Sequence, residues 1–230
     1  QCIWVDRAKL HDQLRANLGD AASLLEAQAG LVSGSVVFLA PGEATAMDRT
    51  VRLITLALTS GPFQQQIARS APELARRPQA NSGGILGFDF HLGGPTPQLI
   101  EINTNPGGLL VSLELARAAT ASCDCLTEPV SVLAAAGVAI GQLGRRISDS
   151  FLAEWTSVRG EAPLRTIAIV DDAPQSQYLY PEFLLYQRLL ERAGWRVVIA
   201  DATSLELRDD AVFLAEERID LIYNRATDFY

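Results

Sequence analysis

The chain has 230 residues, 48% hydrophobic and 20% charged, with a net charge of -8, which excludes disorder, collagen-like repeats and polar low-complexity sequence. Lys9 is the single lysine, so the basic residues are almost all arginine, and an acidic chain without a Lys/Arg cluster excludes nucleic acid and anionic membranes as partners. No run of about 18 apolar residues predicts a membrane span.

The N-terminus, Gln1-Cys2-Ile3-Trp4, has neither an initiator methionine nor a signal-peptide pattern, so residues are expected ahead of position 1. Three cysteines, an odd number, fit a reducing cytoplasm. Cys123 and Cys125 lack a zinc-ligand spacing and read as ordinary helix-surface or core cysteines.

In chain order, apolar residues at helical spacing predict one amphipathic helix over residues 5–30, with Gly30 as its stop. Two more helices are expected over 44–59 and 62–75, broken at Gly61-Pro62. The period then changes to two over 85–92 and 98–103, around a Gly93-Gly94-Pro95-Thr96-Pro97 turn, which predicts a β-hairpin. Helices follow to about Thr120 and over 129–158, the latter with a break near Gly144, and residues 160–163 form the best linker candidate. Beyond it come a strand (166–170), a helix (178–193), a strand (196–200), a hairpin (205–208 and 212–214) and a last strand (219–223), the pattern of a βαβ unit in a parallel sheet. The turn after its first strand, Asp171-Asp172-Ala173-Pro174-Gln175, has no G-x-G-x-x-G, which argues against a dinucleotide site.

The chemistry-bearing stretch is Gly87-Phe88-Asp89-Phe90-His91 together with residues 99–108, LIEINTNPGG. On extended backbone, Asp89 and His91 share one strand face and Glu101 and Asn103 share another, while Phe88, Phe90, Ile100 and Ile102 turn the other way. Pairing of the hairpin then brings Asp89, Glu101 and Asn103 together. Two carboxylates and an amide oxygen are hard ligands of the kind Mg²⁺ takes when it also holds phosphates, and without a cation the carboxylates would repel. The alternative for such a short motif is an ordinary polar face of a half-buried sheet.

The run FDFH followed by LIEINTNPGG resembles the magnesium motif of the ATP-grasp ligases. More narrowly it is similar to the circularly permuted members, eukaryotic glutathione synthetase and glutathionylspermidine synthetase, in which this motif precedes a Rossmann-like substrate-binding domain. Ile219-Asp220-Leu221-Ile222-Tyr223-Asn224-Arg225 resembles the strand of glutathione synthetases that ends in a substrate-binding arginine. The resemblance runs from about residue 85 to the C-terminus. It implies an α/β fold: an ATP-grasp-like half over 1–160, made of helices and the metal-binding hairpin, then a Rossmann-like substrate-binding domain over 161–230.

The resemblance also implies an ATP- and Mg²⁺-dependent ligase joining a carboxylate to an amine through an acyl phosphate, as a homodimer. On it, Asp89, Glu101 and Asn103 hold Mg²⁺, with His91 a second group beside them. The bend of residues 104–108, with Asn105, Gly107 and Gly108, approaches the reacting carboxylate or phosphate. Asn224 and Arg225 bind substrate, Arg225 through a carboxylate that suits its planar fork; the local alternative for Arg225 is a salt bridge to Asp220 or Asp228.

The chain departs from the family in having Gly87 where glutathionylspermidine synthetases carry an arginine ahead of the metal aspartate, and one lysine where the nucleotide subdomain uses several. The expectation is a piece of a longer enzyme that binds no ATP by itself. The alternative is a non-catalytic peptide or amino-acid binding module derived from such a ligase. Asp171 and Asp172 sit either at a ligand-binding strand edge or as caps of the next segment. Tyr178, Tyr180, Pro181 and Glu182 either line a cleft or pack in the core.

Overall fold

The computed structural model describes residues 7–19, 22–28, 30–31, 39–76, 80–81, 83–121 and 130–227. Among these the chain is mixed α/β, with seven α-helices and both antiparallel and parallel strand pairing. It divides into two compact units, Gln1–Val36 with Gly107–Tyr230, and Val37–Pro106. Cys2, Cys123, Cys125 and Asp228 lie outside the described residues.

The expected first helix is two, α1 (Arg7–Leu18) and α2 (Ala22–Ala27). Gly19 follows α1 at φ +59, a left-handed conformation that ends helices, so the break falls there and not at Gly30.

In the Val37–Pro106 unit, α3 (Pro41–Leu58) begins with proline in its first turn. Glu43 reaches back to accept the Ala40 N–H at 2.8 Å, the carboxylate half of a capping box that an alanine cannot complete. The Gly61-Pro62 break starts α4 (Gly61–Ala68), shorter than the pattern suggests, and a 3₁₀ turn (Glu73–Arg76) follows. Strands β1 (Gly87–His91) and β2 (Gln98–Asn103) pair antiparallel.

In the other unit, α5 (Leu109–Ala121) and α6 (Val130–Arg159) are followed by β3 (Thr166–Asp171), α7 (Tyr180–Arg192) and β4 (Arg196–Asp201). The predicted break at Gly144 does not occur. A β-carbon there would approach Leu189 Cδ1 to 3.2 Å, so the glycine admits a close neighbour within a continuous helix. Residues 160–163 form a turn anchored by Trp155, whose Nε1–H donates to the Ala162 carbonyl at 2.6 Å. The helices before this turn and the βαβ part after it belong to one compact unit, because α6 and α5 pack on α7.

The chain closes with β5 (Leu205–Arg208), β6 (Ala211–Leu214), β7 (Glu217–Ile219) and β8 (Leu221–Asn224). The predicted last strand is therefore divided at Asp220. Its first residue, Ile219, finishes an antiparallel sheet, β5-β6-β7, and its remainder joins a parallel sheet in the order β4-β3-β8. Asp220 makes the joint, its Oδ2 accepting the Arg165 and Thr166 N–H groups at 2.9 and 3.0 Å.

Central strand β3 is buried along its whole length, as expected of a parallel strand covered on both faces. Ala168 and Val170 pack with Ile219 and with Leu205, Val212 and Leu214 of the small sheet. Ile167 and Ile169, on the opposite face by alternation, are fully buried, as are Phe183, Tyr186 and Leu190 of α7. Among the described residues no helix is long and apolar enough to cross a membrane.

Candidate functional site

The candidate residues fall in two places, one in each unit. On the hairpin, the register sets Asp89 directly opposite Glu101 and Gly87 opposite Asn103. Residues directly opposite in an antiparallel pair share a face, so Asp89, Glu101 and Asn103 lie together on one side and Phe88 with Ile102 on the other.

The register then slips: Phe90 pairs with Leu99, and Ile100 is the extra residue of a β-bulge. Ile100, expected on the apolar face with Ile102, is instead 67% exposed. His91 pairs with Gln98 beyond the bulge and is exposed.

Asp89 and Glu101 are both exposed and Asn103 is half-buried. Among the described residues neither carboxylate has a hydrogen bond or ion pair within the chain. Like charges directly opposite on a sheet are destabilising.

Asn103 Oδ1 accepts the Asn105 N–H at 2.9 Å. That bond fixes which end of the amide is oxygen, and a carbonyl oxygen has a second lone pair. The donor set, two carboxylates and one oriented amide oxygen, therefore fits a hard divalent cation. It is a small set: no group of three or more His, Cys, Asp or Glu occurs among the described residues. Gly87 has little room for a side chain, since a β-carbon there would lie 3.0 Å from Pro106 Cβ.

The second place gathers around the start of α5. Gly107 and Gly108 precede the helix, and the Gly108 and Leu110 N–H groups donate to the two oxygens of Glu182 at 2.8 and 2.9 Å. Glu182 is fully buried in the first turn of α7. Helix N-termini present unpaired N–H groups and favour negative charge, and here the protein's own carboxylate, 74 residues from Gly108, takes that place. The Gly108 amide, expected to approach a substrate anion, is thus committed to Glu182. A β-carbon on Gly107 would overlap Leu179 Cδ1, so that leucine end would have to shift to admit one.

Arg225 follows β8 and is 5% exposed. Its backbone N–H donates to the Val170 carbonyl at 2.7 Å, its Nη1 donates to the Tyr223 hydroxyl at 3.1 Å, and its Nη2 lies 3.4 Å from where a β-carbon on Gly107 would be. Asp220 is committed at the far end of the strand to Arg165 and Thr166. Asn224 is exposed, its Oδ1 accepting the Ala226 N–H at 3.1 Å in a local turn.

Asp171 accepts the Asp172 N–H at 2.8 Å, and Asp201 accepts the N–H groups of Ala173 and Thr203, each at 2.8 Å. The hydroxyl and N–H of Thr203, with the Ala173 N–H, hold the Asp201 carboxyl below its ordinary range. These acids therefore shape the turns that follow the parallel strands.

Pro181 and Glu182 are core residues, Tyr180 packs edge-on against Phe183 at 6.3 Å, and Tyr178 is exposed. The sequence reading missed Tyr186 and Tyr223 altogether. Tyr223 stands two positions before Arg225 on one strand, and that spacing was a usable signal, since it places both on one face. Tyr186, from α7, had none.

No family model matches the chain, and no curated protein matches it.

Proposed function

We propose that the protein is an ATP- and Mg²⁺-dependent carboxylate–amine ligase of the ATP-grasp type, glutathione-synthetase-like, with its metal-holding hairpin and a Rossmann-like, substrate-binding βαβ part in these residues. The observation that carries this reading is the cross-strand apposition of Asp89 and Glu101 with Asn103 on the same face.

Asp89, Glu101 and Asn103 would hold Mg²⁺, which neutralises and orients transferring phosphates when bound. Arg225 would receive a carboxylate of a peptide-like substrate, its planar fork matching two oxygens in a largely desolvated setting. In the reaction, a substrate carboxylate oxygen takes the γ-phosphoryl group of ATP and ADP departs. An amine then forms the amide bond, losing a proton as phosphate leaves.

The test uses Mn²⁺ as a spectroscopic substitute for Mg²⁺. Electron paramagnetic resonance of the parent should show bound Mn²⁺ that Mg²⁺ displaces, and Asp89→Ala, Glu101→Ala and Asn103→Ala should each weaken it. Equal Mn²⁺ binding in parent and variants overturns the metal assignment. ADP release by the full-length protein with Mg²⁺, ATP and candidate amino acids then tests the ligase step, which the Glu101→Ala variant should abolish.

A second reading, a non-catalytic binding module for peptides or amino acids, is favoured by the commitment of the Gly108 and Leu110 amides to Glu182 and by the single lysine. Peptide binding without ADP release in the presence of Mg²⁺ distinguishes it.

A further inference from the structure

Among the described residues of the Val37–Pro106 unit none is buried. All eight residues of α4 are exposed, and α3 has only exposed and half-buried positions. Helices of this length draw most of their stability from packing an apolar face. Both carry apolar pairs on their exposed sides: Leu53 and Leu56 of α3 are 56% and 67% exposed, Phe63 and Ile67 of α4 38% and 47%. Spacings of three and four put each pair on one side of its helix, and the two helices touch, joined by Thr59 and Ser60 alone. The four side chains leave roughly 400 Å² of apolar surface open, close to the apolar share of the ~800 Å² that each partner gives to a stable interface.

We propose that α3 and α4 are a two-fold dimerisation surface, on which residues 53–68 of one chain pack against the same stretch of a second copy. Charge selects this occupant. Residues 53–68 contain no charged side chain, although 20% of the chain is charged. The whole segment 37–106 holds five arginines and five acidic residues, while the other 14 basic and 22 acidic residues carry the entire charge of -8. A strongly charged partner finds no counter-charge on such a surface, and two copies of it meet without the repulsion that the rest of the chain would impose. A two-fold interface also sets each residue against its own copy or close to it. That arrangement repels charges but suits apolar side chains and the exposed amides of Gln65 and Gln66, since an amide has both donors and an acceptor to offer its twin.

The test is sedimentation velocity of the full-length protein across a dilution series, with hydrogen exchange read at both ends of the series. The parent should run as a dimer that dissociates on dilution, and amides of 53–68 should exchange faster in the monomer. Leu56→Glu/Ile67→Glu, at exposed positions where glutamate is a good helix former, should raise the dimer Kd about 100-fold, and the milder Leu56→Ala about tenfold. High salt should leave the dimer intact, because no charge pair holds it. A parent that is monomeric at every concentration, a dimer that both variants leave intact, or a dimer that salt dissociates overturns the proposal. So does exchange at 53–68 that is the same in monomer and dimer, the result expected if another part of the protein or a different partner covers these helices.

Discussion

Asp89 with Glu101, and Glu182, are acidic features built on opposite terms. The first two face each other on the exposed side of a two-stranded hairpin. Glu182 is fully buried, with each oxygen on a backbone N–H at a helix start. An exposed like-charge pair without internal donors costs stability, a cost that a bound cation would relieve. A buried carboxylate with its donors in place is part of the framework, and removing it strands the donors. The first arrangement is therefore a candidate for binding a ligand and the second for holding the chain together, although both are carboxylates beside glycine-containing turns.

The largest effect should come from the framework carboxylate. Glu182→Ala leaves the Gly108 and Leu110 amides buried without their acceptor and should cost about 2–4 kcal/mol in urea unfolding, with Glu182→Gln costing less. A comparable loss in Glu101→Ala would erase the contrast.

Alkaline pH probes the same knot. Burial, then the neighbouring Tyr223 and Glu182, push the Tyr186 ionisation far above its ordinary value. Its native form keeps its proton where the unfolded chain has lost it. The stability it contributes is complete below about pH 10 and falls by about 1.4 kcal/mol per pH unit above that. Unfolding measured from pH 9 to 11 should show this slope, and Tyr186→Phe should flatten it.

Gly107→Ala should cost about 1 kcal/mol, since the new methyl overlaps the movable end of Leu179. The double variant Gly107→Ala/Leu179→Ala should show a coupling that recovers part of that loss.

The smallest effect has the opposite sign. In chelator, Asp89→Asn should stabilise the protein by about a few tenths of a kcal/mol, because it removes a like-charge pairing. With Mg²⁺ in excess the parent should gain the advantage, by mass action on the folded state. If thermal unfolding shows no Mg²⁺ dependence in the parent, the comparison loses its functional half.

The hairpin could be read in advance because everything that makes it is close in sequence: alternation, a glycine- and proline-rich turn, and two short strands whose polar residues fall on one face. Its bulge at Ile100 could not, since one inserted residue leaves the alternation intact until the strands are paired. Helix boundaries followed the same division. Pro41 and Gly61-Pro62 act locally, but Gly19, Gly30 and Gly144 look alike in sequence. Only Gly19 ends a helix, at φ +59, while Gly144 meets a leucine across a helix pair. Asp220 divides one apolar run between two sheets because its carboxylate binds the amides of Arg165 and Thr166, about 55 residues away.

By itself, then, the sequence determined the α/β character, the βαβ order and the shared face of Asp89, Glu101 and Asn103, all consequences of backbone period and turn chemistry over short spans. Tertiary structure alone decided that Glu182 closes the start of α5, that Tyr223 lies against Tyr186 and Arg225, and that residues 107–159 belong with the βαβ part. Those outcomes depend on which distant groups can satisfy a buried donor or fill a packed space, and no local pattern encodes that choice.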